Sequence, residues 1–307
     1  MIADYLIENY ETKINKYFLS DDWKNKYKDK ISQIQHDEPW LTLIASYALF
    51  GNQDNYSEDR LNAINKIFSL SGLSNKINFT SIINIVLEKK LPEIIPYRKY
   101  LKESFEKENF HLYPDRRQLI DTKISDENSS FEGSTNLDLM IEGISNNKKI
   151  VCFIEAKYLS DISYQITYNP VRDQIIRNID CGIDCIEDKK HNNPIDSYDE
   201  FHFLLLTPKI FRIPEFGGNK ESEITKFQSN KGRYYCYKMK DYLNPENLKS
   251  YLPHRELTDN NWKIISENIG WLTFEDIYSC CKEFATIENN KEAEMIEQFL
   301  VERNLLK

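Results

Sequence analysis

Residues 201 to 207 read FHFLLLT, and this short run constrains the fold more than any other stretch of the chain. A strand points successive side chains to opposite faces. A run that stays apolar at consecutive positions must therefore be covered on both faces, as in a sheet sandwiched between other layers. Upstream lie RQLIDTKIS (117 to 125), LDLMIEG (137 to 143) and KIVCFIEAKYL (149 to 159), each rich in strand-forming residues. The second and third are joined by ISNNKK, a polar turn of the kind that closes a hairpin. A further strand is expected in RYYCYKM (233 to 239).

Between the strands, NPVRDQIIRNIDCGIDCIED (169 to 188) carries a helical pattern. Asn169 is the expected N-cap and Pro170 the first helical residue. Val171, Ile175, Ile179, Ile183 and Ile186 form one apolar stripe. The first ~110 residues read as helices, with Leu6, Tyr10, Ile14, Tyr17 and Phe18 at three- and four-residue intervals. EPWLTLIASYALF (38 to 50), SEDRLNAINKIFSLSG (57 to 72), NFTSIINIVLEKK (78 to 90) and YRKYLKESFEKENF (97 to 110) continue that series. From about 245 the chain is expected to be helical again, with Phe274, Ile277, Tyr278 and Cys281 on one face, and Ile296, Phe299 and Leu300 on another. The expected fold class is α/β, in three regions: a mainly helical 1–110, a mixed-sheet core 111–244, and a helical tail 245–307.

Composition narrows the function classes. The 307 residues include 40% hydrophobic and 29% charged side chains, as in a soluble globular protein. No apolar run approaches the roughly 18 to 20 residues of a membrane span. The N-terminal MIADYLIENYETKINKYF is acidic and amphipathic, without the basic start and apolar middle of a signal peptide, so a cytoplasmic protein is expected. Six cysteines in a chain this long do not suggest a disulfide framework. Cys181 and Cys185 stand one helical turn apart near His191, but small buried hydrophobes are the better reading. His36, His111, His191, His202 and His254 have no mutual spacing of a triad or zinc site, and His202, inside an apolar strand, reads as a satisfied core histidine. The net charge of −9 argues against a surface coated for nucleic acid. A local basic groove remains compatible with it, because 86 to 123 gathers Lys89, Lys90, Arg98, Lys99, Lys102, Lys107, Arg116, Arg117 and Lys123 among acids.

The chemistry is concentrated in VCFIEAKYL (151 to 159). Glu155 and Lys157 are two apart in a strand, so they share one face with Phe153, while Ile154 and Ala156 take the other. An unpaired charge there is costly, so something must meet it. A Glu–Lys contact would do so, yet it leaves Asp138 on the neighbouring strand unexplained. The hairpin brings Asp138 near Glu155, where two carboxylates repel and raise each other's pKa. A divalent cation with hard oxygen preference removes that conflict. It would activate water, and Lys157 would offset transition-state charge. On this reading the fold should survive loss of either Asp138 or Lys157, because removing one member of a repelling pair relieves strain.

Asp138 followed by Glu155-Ala156-Lys157, with Gln174 on the next helix, resembles the PD-(D/E)xK nuclease superfamily. That superfamily has the restriction-endonuclease-like fold, whose core runs helix, three-stranded meander, helix, strand. Segment 97 to 207 has that order. The resemblance implies that Asp138 and Glu155 bind Mg²⁺ or Mn²⁺, that Lys157 is the catalytic lysine, and that Gln174 is the polar residue many members carry on the helix after the motif. It implies an endonuclease acting on DNA, a hydrolase in restriction or defence against foreign DNA, commonly a homodimer. The alternative is an inactive nuclease-fold binding or regulatory module. Leu137 stands where many members have Pro, and Pro114-Asp115 lies too far upstream to substitute. Glu103, Glu106 and Glu132 are the candidates for the upstream glutamate that many members add. On the helix, Gln174 and Arg177 share a face beside the isoleucine stripe.

Overall fold

The computed structural model describes residues 7–8, 42, 45, 58–73, 76–106, 135–158, 172–187, 198–212, 235–283, 294, 297 and 300–301. Its elements in chain order are β1 (Ile7–Glu8), α1 (Glu58–Phe68), β2 (Phe79–Leu91), α2 (Ile95–Glu106), β3 (Thr135–Ser145), β4 (Lys148–Ala156) and α3 (Gln174–Glu187). Then come β5 (Glu200–Thr207), α4 (235–242), α5 (Pro245–Tyr251), α6 (Asp259–Glu267), β6 (Ile269–Thr273) and α7 (Phe274–Glu283). The strands form one mixed sheet in the order β1-β2-β3-β4-β5-β6. β2, β3 and β4 are an antiparallel meander, and β4, β5 and β6 run parallel to one another. The two-residue β1 adds a parallel pair to the outer side of β2.

The apolar run at 201 to 207 becomes β5, and it is indeed covered twice. Leu204 and Leu206 face a cluster with Ile64 and Phe68 of α1, and Ile277 and Cys281 of α7. Phe203 and Leu205 face a second cluster with Ile175, Ile179 and Ile183 of α3, Tyr97 of α2 and Trp262 of α6. Helices therefore pack on both sides of the sheet, and the molecule is mixed α/β. The β3–β4 turn has positive φ at both Asn146 (51°) and Asn147 (61°), the geometry of a type I′ hairpin turn, which asparagine tolerates. α3 approaches β5 closely enough that a Cβ on Gly182 would lie 2.1 Å from the Phe201 ring.

Four segments differ from what their sequence suggests. NFTSIINIVLEKK is a strand, not a helix. Its ladder with β3 has register shifts between Phe79 and Ser81 and between Ile82 and Asn84. These bulges break the two-residue alternation and leave Phe79, Ile82 and Ile85 buried at intervals of three, which imitates a helical pattern. Because β3 lies between β2 and β4, the place beside it expected for RQLIDTKIS is taken by β2; 117 to 125 lies outside the described residues.

RYYCYKM is not a strand, since 235–242 is helical. Tyr235, Lys238, Met239 and Tyr242 are buried at helical spacing while Tyr237 is exposed. α3 begins at Gln174, not Pro170, and its cap is Asp173, whose Oδ1 accepts the Ile176 N–H at 3.0 Å. The stripe Ile175, Ile179 and Ile183 is buried as expected, whereas Asn169, Pro170 and Val171 lie outside the described residues. The C-terminal region is not purely helical. β6 at Ile269–Thr273 joins the sheet, so strands from 1–110, 111–244 and 245–307 pair in one layer across both expected boundaries.

Candidate functional site

The site lies where the hairpin ladder ends. The last β3–β4 partners are Leu139 and Ile154, and one further step of that register sets Asp138 opposite Glu155. Residues opposed in an antiparallel pair point to the same face, with Cβ atoms typically about 5 Å apart. That face is the one carrying Met140 and Phe153, against α2 and α3. Glu155 is fully buried, Lys157 nearly so, and Asp138 half-buried. Asp138 Oδ2 accepts the Ala156 N–H at 2.8 Å. Lys157 continues the strand beyond β4, its N–H bonded to the Leu206 carbonyl at 2.8 Å. Its Nζ donates to Glu155 Oε1 at 2.6 Å and to the Ala156 carbonyl at 3.0 Å.

A buried carboxylate needs partners on both oxygens. The second oxygen of Glu155 receives one from α3: Asn178 Nδ2 donates to Oε2 at 2.8 Å. Gln174, the helix residue singled out from sequence, sits at the first position of α3 and is half-buried. The structure brings Asn178, one turn further on, to Glu155 instead. Its sequence signal was a polar side chain flanked by Ile175, Ile176 and Ile179, on a stretch otherwise made to pack against a sheet.

Two ionic clusters hold α3 in place. Asp180 Oδ2 lies 2.7 Å from Arg172 and 2.8 Å from His254 Nε2, and Oδ1 takes Arg255 Nε at 2.6 Å. Burial alone would raise the Asp180 pKa, but Arg172, His254 and Arg255 together hold it well below the usual carboxylate range. At the helix start, Asp173 Oδ2 accepts from Tyr242 at 2.6 Å and pairs with Lys238 at 2.8 Å. The chain segment 235–255, read from sequence as a strand and a helix, thus supplies both anchors of the helix that carries Asn178.

The remaining expected residues fall as follows. Glu103 is exposed and 3.9 Å from Lys99, a solvated pair on α2 turned away from burial. The Glu106 side chain, Glu132, Pro114-Asp115, Lys107, Arg116, Arg117 and Lys123 lie outside the described residues, as do His36, His111 and His191. Cys181, Cys280 and Cys281 are buried, and burial pushes the Cys280 and Cys281 thiols up to about 12. His202 is a core histidine but not a satisfied one: neither ring nitrogen has a hydrogen-bond partner among the described residues.

Among the described residues, no three His, Cys, Asp or Glu side chains gather into a metal cage. What the site offers is two carboxylates at the end of the hairpin ladder, Asp138 and Glu155, and the amide of Asn178. Asn178 Oδ1 is buried without a hydrogen-bond partner among the described residues. These are hard oxygens, the donor type of a Mg²⁺ site that takes one or two carboxylates and keeps its waters. No helix among the described residues is long and apolar enough to cross a membrane. No family model, curated protein or solved structure matches the chain.

Proposed function

We propose that the chain is a metal-dependent nuclease of the PD-(D/E)xK type, hydrolysing phosphodiester bonds in DNA. The observation that carries this reading is the ladder register. Carried one step past its last pair, Leu139 and Ile154, it would bring Asp138 opposite Glu155, whose carboxylate takes Lys157 Nζ at 2.6 Å. The element order supports it from β3 onward, since hairpin β3-β4, helix α3 and parallel strand β5 follow the order the resemblance implies, whereas the first antiparallel strand, β2, precedes α2 instead of following it. In this reading Asp138 and Glu155 hold Mg²⁺ or Mn²⁺, which when bound lowers the pKa of water and stabilises phosphodiester charge. Lys157 stands beside that centre as a buried cation, placed to offset charge on the scissile group. Gln174, half-buried at the start of α3, is in this reading the polar side chain that meets a phosphate. Foreign DNA, cut in restriction or defence, is the substrate the resemblance implies, with a homodimer cutting both strands.

The test is cleavage of labelled duplex and single-stranded DNA by the full chain with Mg²⁺ or Mn²⁺. Wild type is expected to cut, and Asp138→Ala and Lys157→Ala to lose at least a hundredfold in rate. Absence of cleavage on every substrate, or equal rates in the variants, refutes the assignment.

One observation favours a second reading, a non-catalytic binding or regulatory module. Glu155 Oε1, Glu155 Oε2 and Asp138 Oδ2 each already have a donor within the chain. A carboxylate pair so satisfied can be stable without a cation. Calorimetry with Mn²⁺ separates the two: heat of binding that disappears in Asp138→Ala supports the nuclease, and no binding supports the module.

A further inference from the structure

We propose that Asn178 is a third residue of the cation site, holding Glu155 through Nδ2 while its Oδ1 supplies a neutral oxygen beside the carboxylate. This rests on the nuclease reading and extends it to a residue that reading did not include. Asn178 is fully buried on α3, and Nδ2 lies 2.8 Å from Glu155 Oε2. The amide orientation is fixed by charge. Turned over, it would set its oxygen against an ionised carboxylate, which is repulsive, whereas the N–H forms a charge-assisted bond. Oδ1 is therefore committed to the outer side of the amide, where it has no hydrogen-bond partner among the described residues.

A buried, unpaired amide oxygen is costly to keep. A core position served only by packing would carry Leu or Ala instead. Asn is the side chain that can both donate to Glu155 and leave an oxygen one amide width away. Lys157 meets the other oxygen of Glu155 at 2.6 Å, so the carboxylate is clamped from two elements, strand and helix. Its orientation is set before any cation arrives. The anchors of α3 fix where the amide sits: the Asp173 cluster one turn before it and Asp180 two residues after it. Asn178 is thus a positioning residue for Glu155 and a hard oxygen for a cation or its hydration shell.

The test compares wild type, Asn178→Ala and Asn178→Asp as full-length proteins, using Mn²⁺ calorimetry, thermal unfolding with and without Mn²⁺, and DNA cleavage. Asn178→Ala is expected to raise the Mn²⁺ dissociation constant by about 10- to 100-fold. It should lower kcat with KM for DNA near wild type, while the metal-free melting temperature shifts by only a few degrees. Asn178→Asp keeps an oxygen but loses the donor and adds repulsion. It is expected to melt lower than wild type without metal and to gain more from Mn²⁺ than wild type does. Equal Mn²⁺ affinity in wild type and Asn178→Ala overturns the proposal while leaving the nuclease reading intact. A wild type that takes up no Mn²⁺ overturns the nuclease reading, and the proposal with it. If Asn178→Ala does not fold, the Mn²⁺-dependent stabilisation of Asn178→Asp decides, and a gain no larger than that of wild type overturns the proposal.

Discussion

At the scale of single residues, Lys157 and Asp138 play unequal parts in stability. Lys157 is a buried cation bonded to a fully buried carboxylate. Removing one partner of such a pair leaves an uncompensated charge and typically costs about 3–5 kcal/mol. Asp138 is half-buried, and losing its bond to the Ala156 N–H should cost about 1–3 kcal/mol. The fold is therefore expected to tolerate loss of Asp138 better than loss of Lys157. Denaturant unfolding should show Lys157→Met well below Asp138→Ala, and equal midpoints would contradict the buried pair.

His202 is the second residue-scale case. Burial, with Lys76 and Lys148 adding to it, pushes its pKa down from 6.5 to about 3. The native state therefore holds a neutral ring where the unfolded chain takes a proton. Stability is unaffected above pH 6.5 and is lost progressively as pH falls from 6.5 towards 3. His202→Leu removes two unpaired buried nitrogens and is expected to gain about 1–3 kcal/mol at pH 7. It should also flatten the acid limb of the stability curve, as urea titrations across pH 4 to 7 would show. A steeper limb in the variant would contradict this account.

At the scale of elements, α3 is the piece on which the site depends. It reaches the sheet through a stripe of isoleucines, and Gly182 lets it press on Phe201. Its position along the sheet is set by charge as well, through Arg172, Asp180, His254 and Arg255. Asp180→Asn removes the anion beside two buried arginines and is expected to destabilise by about 3–5 kcal/mol. If the clusters steer Asn178 onto Glu155, that variant should also weaken Mn²⁺ binding at temperatures where it remains folded. Calorimetry on the folded fraction would show it. Much of α3 was legible beforehand, because Ile175, Ile179 and Ile183 repeat at helical spacing. Its start was not: Asn169 and Asp173 are both good caps locally, and Asp173 prevails because Tyr242 and Lys238 hold its other oxygen.

At the scale of the whole molecule, the sheet is assembled from distant parts of the chain. β2 precedes the hairpin by dozens of residues, and β6 lies beyond α6, yet both extend the same layer. The face of the sheet opposite the site is closed by α1 and α7, one from each end of the described chain. Truncation after residue 244 would uncover β5 by removing β6, and would expose Leu204, Leu206 and the α1 side chains packed with α7. The truncated chain is expected to lose cooperative unfolding or aggregate, as calorimetric melting would reveal. A sharp, wild-type-like transition would mean that 245–307 is dispensable to the core.

The sequence by itself determined what depends on neighbours a few residues away. The doubly covered strand at 201 to 207, the hairpin turned by Asn146-Asn147, and the shared face of Glu155 and Lys157 follow from strand periodicity and turn chemistry. Tertiary structure decided whatever required partners far along the chain. Bulges that exist only when β2 pairs with β3 disguised a strand as a helix. Packing of Tyr235, Met239 and Tyr242 against the core made a helix of an aromatic run that alternation had suggested was a strand. Asn178 gained its place beside Glu155 because α3 is pinned by residues up to 75 positions away, and short-range pattern carries no record of such contacts.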